Sequence, residues 1–132
     1  MNNARPHRQT GFTLVEVMIV VAIIAMLAAI GTNSVYRARK RSQATKILDD
    51  LRLLDGALDL WALEKNKSTG DVAQFSDIRP YLKEMNKLSV TGKDLFEQDY
   101  GPFTVDITPK VAPLTFNTLS DVAPASFWSP FK

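Results

Sequence analysis

The chain has no cysteine and a single histidine, His7. Without thiols there is no disulfide framework and no cysteine nucleophile. Beyond residue 11 there is neither His nor Cys, which excludes serine–histidine and cysteine–histidine catalysis and zinc sites built on those ligands. Proline is scarce as well until late in the chain. Six of the seven prolines fall in the last 53 residues, which disfavours long regular elements there and leaves the first half free to form them. No constellation of reactive groups stands out, so no enzyme is expected.

An excess of one charge sign is also missing from most of the chain. The formal charge of +2 and pI near 9 suggest an acidic partner such as nucleic acid, until the charges are placed. Arg5 and Arg8 carry the whole excess, because residues 12–132 hold 14 basic and 14 acidic side chains. From Ser42 onward 10 Lys/Arg face 13 Asp/Glu, a net charge of −3. The remaining cations form one block, Arg37, Arg39, Lys40 and Arg41. A compact collar beside an apolar run is more often a membrane-edge anchor than a nucleic-acid footprint, so no nucleic-acid partner is expected.

That apolar run is Phe12 to Ile30, 19 residues with one ionisable group, Glu16. As a helix it would extend about 28 Å at 1.5 Å per residue, close to the thickness of a hydrocarbon core. A buried helix in a soluble fold is the alternative, but a chain of this size cannot easily surround such a helix on every face. A secretory signal would have an apolar stretch of roughly 7–15 residues followed by small residues at a cut site. Here the stretch is longer and runs on into more helix, so any cut belongs before it. Glu16 is the informative defect. A carboxylate in a membrane helix is expensive and usually has a partner or a function, although one turn from the helix end it can also reach the interface.

Gly11-Phe12-Thr13-Leu14-Val15-Glu16 followed by an unbroken apolar helix resembles the N-terminal signature of type IV pilins and type II secretion pseudopilins. The resemblance implies a leader, residues 1–11, removed by a prepilin peptidase between Gly11 and Phe12. It implies N-methylation of the new terminus at Phe12 and a role in assembly for Glu16. It also implies a homo-oligomeric filament, contact with other pseudopilins and an inner-membrane assembly platform. The physics agrees: the cut creates an ammonium at Phe12, and Glu16 of a neighbouring subunit can offset it inside an apolar filament core. The domain layout expected is leader 1–11, membrane and filament-core helix 12–33, and a periplasmic or extracellular head 34–132 that begins with an amphipathic helix, 34–67. On orientation, Arg5 and Arg8 agree with a cytoplasmic leader. The collar opposes it, since four cations within five residues would by the charge rule mark the cytoplasmic side.

Ile47, Leu51, Leu54, Leu58 and Trp61 recur at helical steps, widened by Ala44, Leu48 and Ala62. Lys46, Asp49, Asp50, Arg52, Asp55 and Asp59 make the expected solvent face. The spacing predicts one helix to about Lys67 with Gly70 as its stop, and Gly31-Thr32-Asn33 as its weak point. Asn33 departs from the resemblance, because many members carry proline there. Downstream, residues 75–82 predict a short helix capped by Ser76 with Pro80 in its first turn. Residues 103–107 and 114–119 alternate like strands. The aromatic tail, Phe127-Trp128-Ser129-Pro130-Phe131, is expected to pack on the sheet or the long helix, with an exposed docking patch as the alternative. The fold class expected is α+β: a long N-terminal helix packed on a small, loop-rich head containing antiparallel β structure, similar to the minimal major pseudopilins.

Asp94, Glu97 and Asp99 cluster before Tyr100, with Asp106 and Asp121 later. The resemblance implies a calcium site in such a head, and oxygen ligands are the right chemistry for it. No calcium-loop motif is present, and a solvated acidic loop is the plainer reading. Function is therefore expected to be structural, a subunit of a type II secretion pseudopilus. A surface type IV pilus subunit and a minor tip subunit with a binding role are the alternatives.

Overall fold

A computed structural model describes residues 11–82 and 87–132. The expected leader, with Arg5, His7 and Arg8, lies outside the described residues apart from Gly11. The chain divides into two units, residues 1–36 and 37–132, and one helix, α1 (Leu14–Glu64), contributes to both.

In the first unit every described residue is exposed. Val17, Ile19, Ile23, Leu27 and Ile30 each show more than half of their surface. By length and composition this segment is long and apolar enough to cross a membrane. Gly31-Thr32-Asn33, the expected weak point, lies inside α1. There the Thr32 hydroxyl donates to the Ala28 carbonyl at 2.7 Å, a bond that occupies the side chain within the helix's own preceding turn.

From Ala44 onward α1 acquires a buried face. Ala44, Ile47, Leu48, Leu51, Leu54, Ala57, Leu58, Trp61 and Ala62 are all buried, the stripe that the spacing predicts. Asp50 corrects the expected solvent face. It is buried because it falls one turn from both Ile47 and Leu54, on the edge of the stripe. The Lys46 ammonium lies 3.7 Å from its carboxylate, and the Tyr100 hydroxyl donates to it at 3.4 Å. Burial pushes the Asp50 carboxyl above its usual range, against the opposing pull of Lys46, and burial beside Asp50 and Asp94 pushes the Tyr100 hydroxyl up.

The helix stops earlier than expected, and Gly70 is not the cause. Asn66 adopts φ of 50°. The Lys67 N–H donates to the Ala62 carbonyl at 2.8 Å and the Asn66 N–H to the Leu63 carbonyl at 3.4 Å. These are the paired bonds of a Schellman motif, with asparagine in the left-handed position usually given to glycine. Asn tolerates that conformation because its short amide can bond locally.

The remainder of the second unit is built from small pieces. Strand β1 (Val72–Ala73) pairs antiparallel with β2 (Phe103–Thr104), Val72 opposite Thr104 and Ala73 opposite Phe103. Helix α2 (Phe75–Ile78) leads into a 3-10 turn over Arg79–Tyr81 that contains Pro80. Its cap is Gln74 and not the expected Ser76, with the Gln74 N–H donating to Asp77 at 2.8 Å. Helix α3 spans Lys87–Thr91, and α4 spans Pro113–Leu119.

Two strand expectations need correction. Only Phe103 and Thr104 of residues 103–107 join the ladder, because Asp106 at φ of 65° turns the chain back so that Ile107 bridges Thr104. Residues 114–119 form α4 instead of a strand. Pro113 starts it with a pre-set φ, and the buried pair Thr115 and Leu119 has helical spacing, which a six-residue stretch cannot distinguish from alternation. The aromatic tail does pack. Trp128 and Phe131 are buried in the core, the Trp128 indole N–H donates to the Ala123 carbonyl at 3.1 Å, and Phe127 meets Trp128 edge-on. These two buried rings rule out a tail that is exposed throughout. The α+β class holds, with a smaller sheet and more helix than the alternation suggests.

Candidate functional site: the start of the N-terminal helix

Gly11, Phe12 and Thr13 precede the first turn of α1 and are not helical. Phe12 is 88% exposed. Among the described residues a Cβ placed on Gly11 would meet nothing within 4 Å, so their packing does not require glycine there. Gly11 and Phe12 are both exposed and lie outside the helix.

Thr13 and Glu16 hold the helix start together. The Thr13 N–H donates to Glu16 Oε2 at 2.8 Å and the Thr13 hydroxyl to the same oxygen at 2.9 Å. In return the Glu16 N–H donates to Thr13 Oγ1 at 3.3 Å. The first backbone bond of the helix also ends on Thr13, whose carbonyl accepts from the Val17 N–H at 3.3 Å. This is a reciprocal capping box, Thr-x-x-Glu, which satisfies two amide donors that a helix end otherwise leaves unpaired. Both cap bonds to the carboxylate fall on Oε2. A negative group at this position also suits the positive end of the helix dipole. Thr13 is a residue that the sequence reading passes over, although Thr-x-x-Glu ahead of an apolar run is a legible helix-start pattern.

The collar is not uniformly available. Lys40 reaches the Asp121 carboxylate at 3.0 Å and the Thr118 carbonyl at 3.2 Å, while Arg37 and Arg41 line a shallow groove with Asp121 and Val122. At least one of its four cations is thus engaged by the head's own residues.

The three carboxylates considered for calcium are not brought together as a ligand set. Asp94 is buried and its oxygens are taken by hydrogen bonds. Glu97 pairs with Lys87, which holds its carboxyl below the usual range, and Asp99 lies 3.6 Å from Lys93. Among the described residues no group of three His, Cys, Asp or Glu side chains is placed to hold a metal ion. The solvated loop expected from sequence describes Glu97 and Asp99 but not Asp94.

Comparison with known proteins bears on the same N-terminal segment. Residues 6–32 match the family described as the prokaryotic N-terminal methylation motif. The chain is 35% identical over 61 residues to the type II secretion system core protein G of Klebsiella pneumoniae, covering 46% of this chain and 44% of that protein. It is 35% identical over 61 residues to the same-named protein of Aeromonas hydrophila, covering 46% and 43%. The counterpart from Vibrio cholerae serotype O1 is 36% identical over 60 residues, covering 46% and 41%. The chain therefore aligns with less than half the length of these curated relatives. No solved structure matches.

Proposed function

We propose that this chain, whose N-terminal half is that of a type IV pilin-like pseudopilin, is a structural subunit of a type II secretion pseudopilus. One observation carries the reading. Every residue from Gly11 to Arg39 is exposed, most of them apolar, and they follow a start site that matches the methylation motif. Such a helix needs an apolar surrounding that the described residues do not supply. The membrane provides it first, and the helices of neighbouring subunits provide it in the filament.

On this reading a prepilin peptidase cuts between Gly11 and Phe12, Phe12 is methylated, and the head lies on the periplasmic side of the inner membrane. Gly11 is then required by the peptidase, in keeping with the open space around it. The capping box solves a problem at the intermediate stage. Before assembly, Thr13 gives the Glu16 carboxylate two hydrogen bonds at the helix start; afterwards the Phe12 ammonium of a neighbour adds the opposite charge. Partners are other copies, other pseudopilins and an inner-membrane assembly platform.

Intact mass and N-terminal sequencing of the protein purified from membranes test the core of this. The expected mature chain starts at N-methylated Phe12, while an intact Met1 or a cut after Ala29 would overturn it. Assembly separates the two duties of Glu16. Glu16→Gln keeps a side chain that can close the capping box but removes the charge, so it should insert, be processed and fail to form filaments. Thr13→Val removes the cap and keeps the charge, so filaments should persist at reduced yield. Normal filaments from Glu16→Gln would refute the charge-pairing account. Protease digestion of spheroplasts tests the orientation, since the head should be degraded there.

A further inference from the structure

A calcium ion needs six to eight oxygen ligands with lone pairs directed at it. Among the described residues, the loop from Lys93 to Asp99 carries three carboxylates in close sequence, and it uses the first of them for another purpose. Asp94 is 1% exposed. Its Oδ1 accepts from the Phe96 N–H at 2.7 Å and the Gln98 N–H at 2.9 Å, and its Oδ2 accepts from the Thr115 hydroxyl on α4. The same loop is tied by its backbone, with the Asp94 N–H donating to the Gln98 carbonyl at 2.9 Å. Thr115 is itself fully buried. We infer that the Asp94–Thr115 hydrogen bond does the work of a metal in this head: it clamps the acidic loop to α4, and the head folds without calcium.

Charge placement supports the same conclusion. The other two carboxylates are solvent-exposed, with side chains 67% and 72% exposed, each beside an ammonium group: Glu97 by Lys87 and Asp99 by Lys93. Glu97 itself occupies the left-handed region, φ of 61°. A divalent cation entering here would have to displace three hydrogen-bond donors from Asp94 and approach two lysines. Three donors on one carboxylate satisfy the buried charge without it. The inference concerns the head alone and goes beyond the filament reading, so either can fail without the other.

Thermal unfolding of the processed full-length chain in detergent decides it. The wild type should melt at the same temperature in millimolar calcium and in EGTA, and a Tm higher by several degrees in calcium would overturn the inference. Thr115→Val, nearly equal in size but lacking the hydroxyl, should lower Tm by roughly 5–10 °C, by the same amount in both solutions. Recovery of Thr115→Val by calcium, or no loss at all, would also overturn it. Thr115→Ser keeps the hydroxyl and should melt closer to wild type than Thr115→Val does. If Thr115→Val does not fold, the wild-type comparison and the serine variant still decide between a hydrogen-bonded clamp and a metal site.

Discussion

Gly92 follows α3 with φ of +66°, and a Cβ built on it would stand 2.8 Å from both Cγ and Cδ1 of Phe75. Gly92→Ala therefore meets two separate penalties. The left-handed backbone costs alanine roughly 1–2 kcal/mol more than glycine. The new methyl group sits well inside the ~3.5–4.0 Å at which carbon atoms settle, so the half-buried Phe75 ring must move outward. Overpacking of this kind costs roughly 1–3 kcal/mol. Together they predict a loss of about 2–5 kcal/mol, or a Tm lower by roughly 8–40 °C for a head of this size. The assay is thermal unfolding of the full-length chain as a double-mutant cycle with Phe75→Ala. Removing the ring should leave only the backbone penalty, so Gly92→Ala should cost about 1–2 kcal/mol in that background. An equal cost in both backgrounds would refute the close approach of Phe75, and a cost below about 0.5 kcal/mol in the wild type would refute both parts.

Other consequences are open to the same measurements. Trp128→Ala should destabilise the head by about 3–5 kcal/mol, and a loss under about 1 kcal/mol would mean that the tail is not core. Asn66→Gly should hold or slightly raise Tm, whereas Asn66→Val, β-branched in the left-handed position that ends α1, should cost about 1–2 kcal/mol. Asp50 predicts a pH dependence. Its carboxyl is raised by burial, so its contribution is fully present below the ordinary Asp pKa near 4 and is lost as pH rises through the folded-state value. The stability of Asp50→Asn relative to wild type should thus improve between about pH 4 and pH 7, and a gap that does not change with pH would refute the burial account.

Much of the site was legible because it is written in consecutive residues. Gly11, Phe12 and Glu16 are read in order along one strip of chain, and nothing distant is needed to define them. The buried stripe of α1 was legible for a similar reason, since Ile47, Leu51, Leu54, Leu58 and Trp61 repeat with the period of the helix that carries them. Thr13 was readable too, through Thr-x-x-Glu, and was hidden only by the louder apolar run around it.

Where the expectations failed, the deciding partner lies far away in sequence. Asp50 has the spacing of a boundary residue, and whether it is wet or buried depends on Tyr100, fifty positions on. Asp94 looks like one of three surface carboxylates until Thr115 on α4 closes over it. Residues 114–119 have a pattern too short to separate two periods, and packing of Thr115 and Leu119 selected the helix. The sequence by itself thus determined the apolar helix, the motif at its start and the amphipathic stripe, because local periodicity and a contiguous motif specify them. The tertiary structure alone decided the fate of the acidic loop and the elements of the head, because a carboxylate's role depends on which donors fold over it.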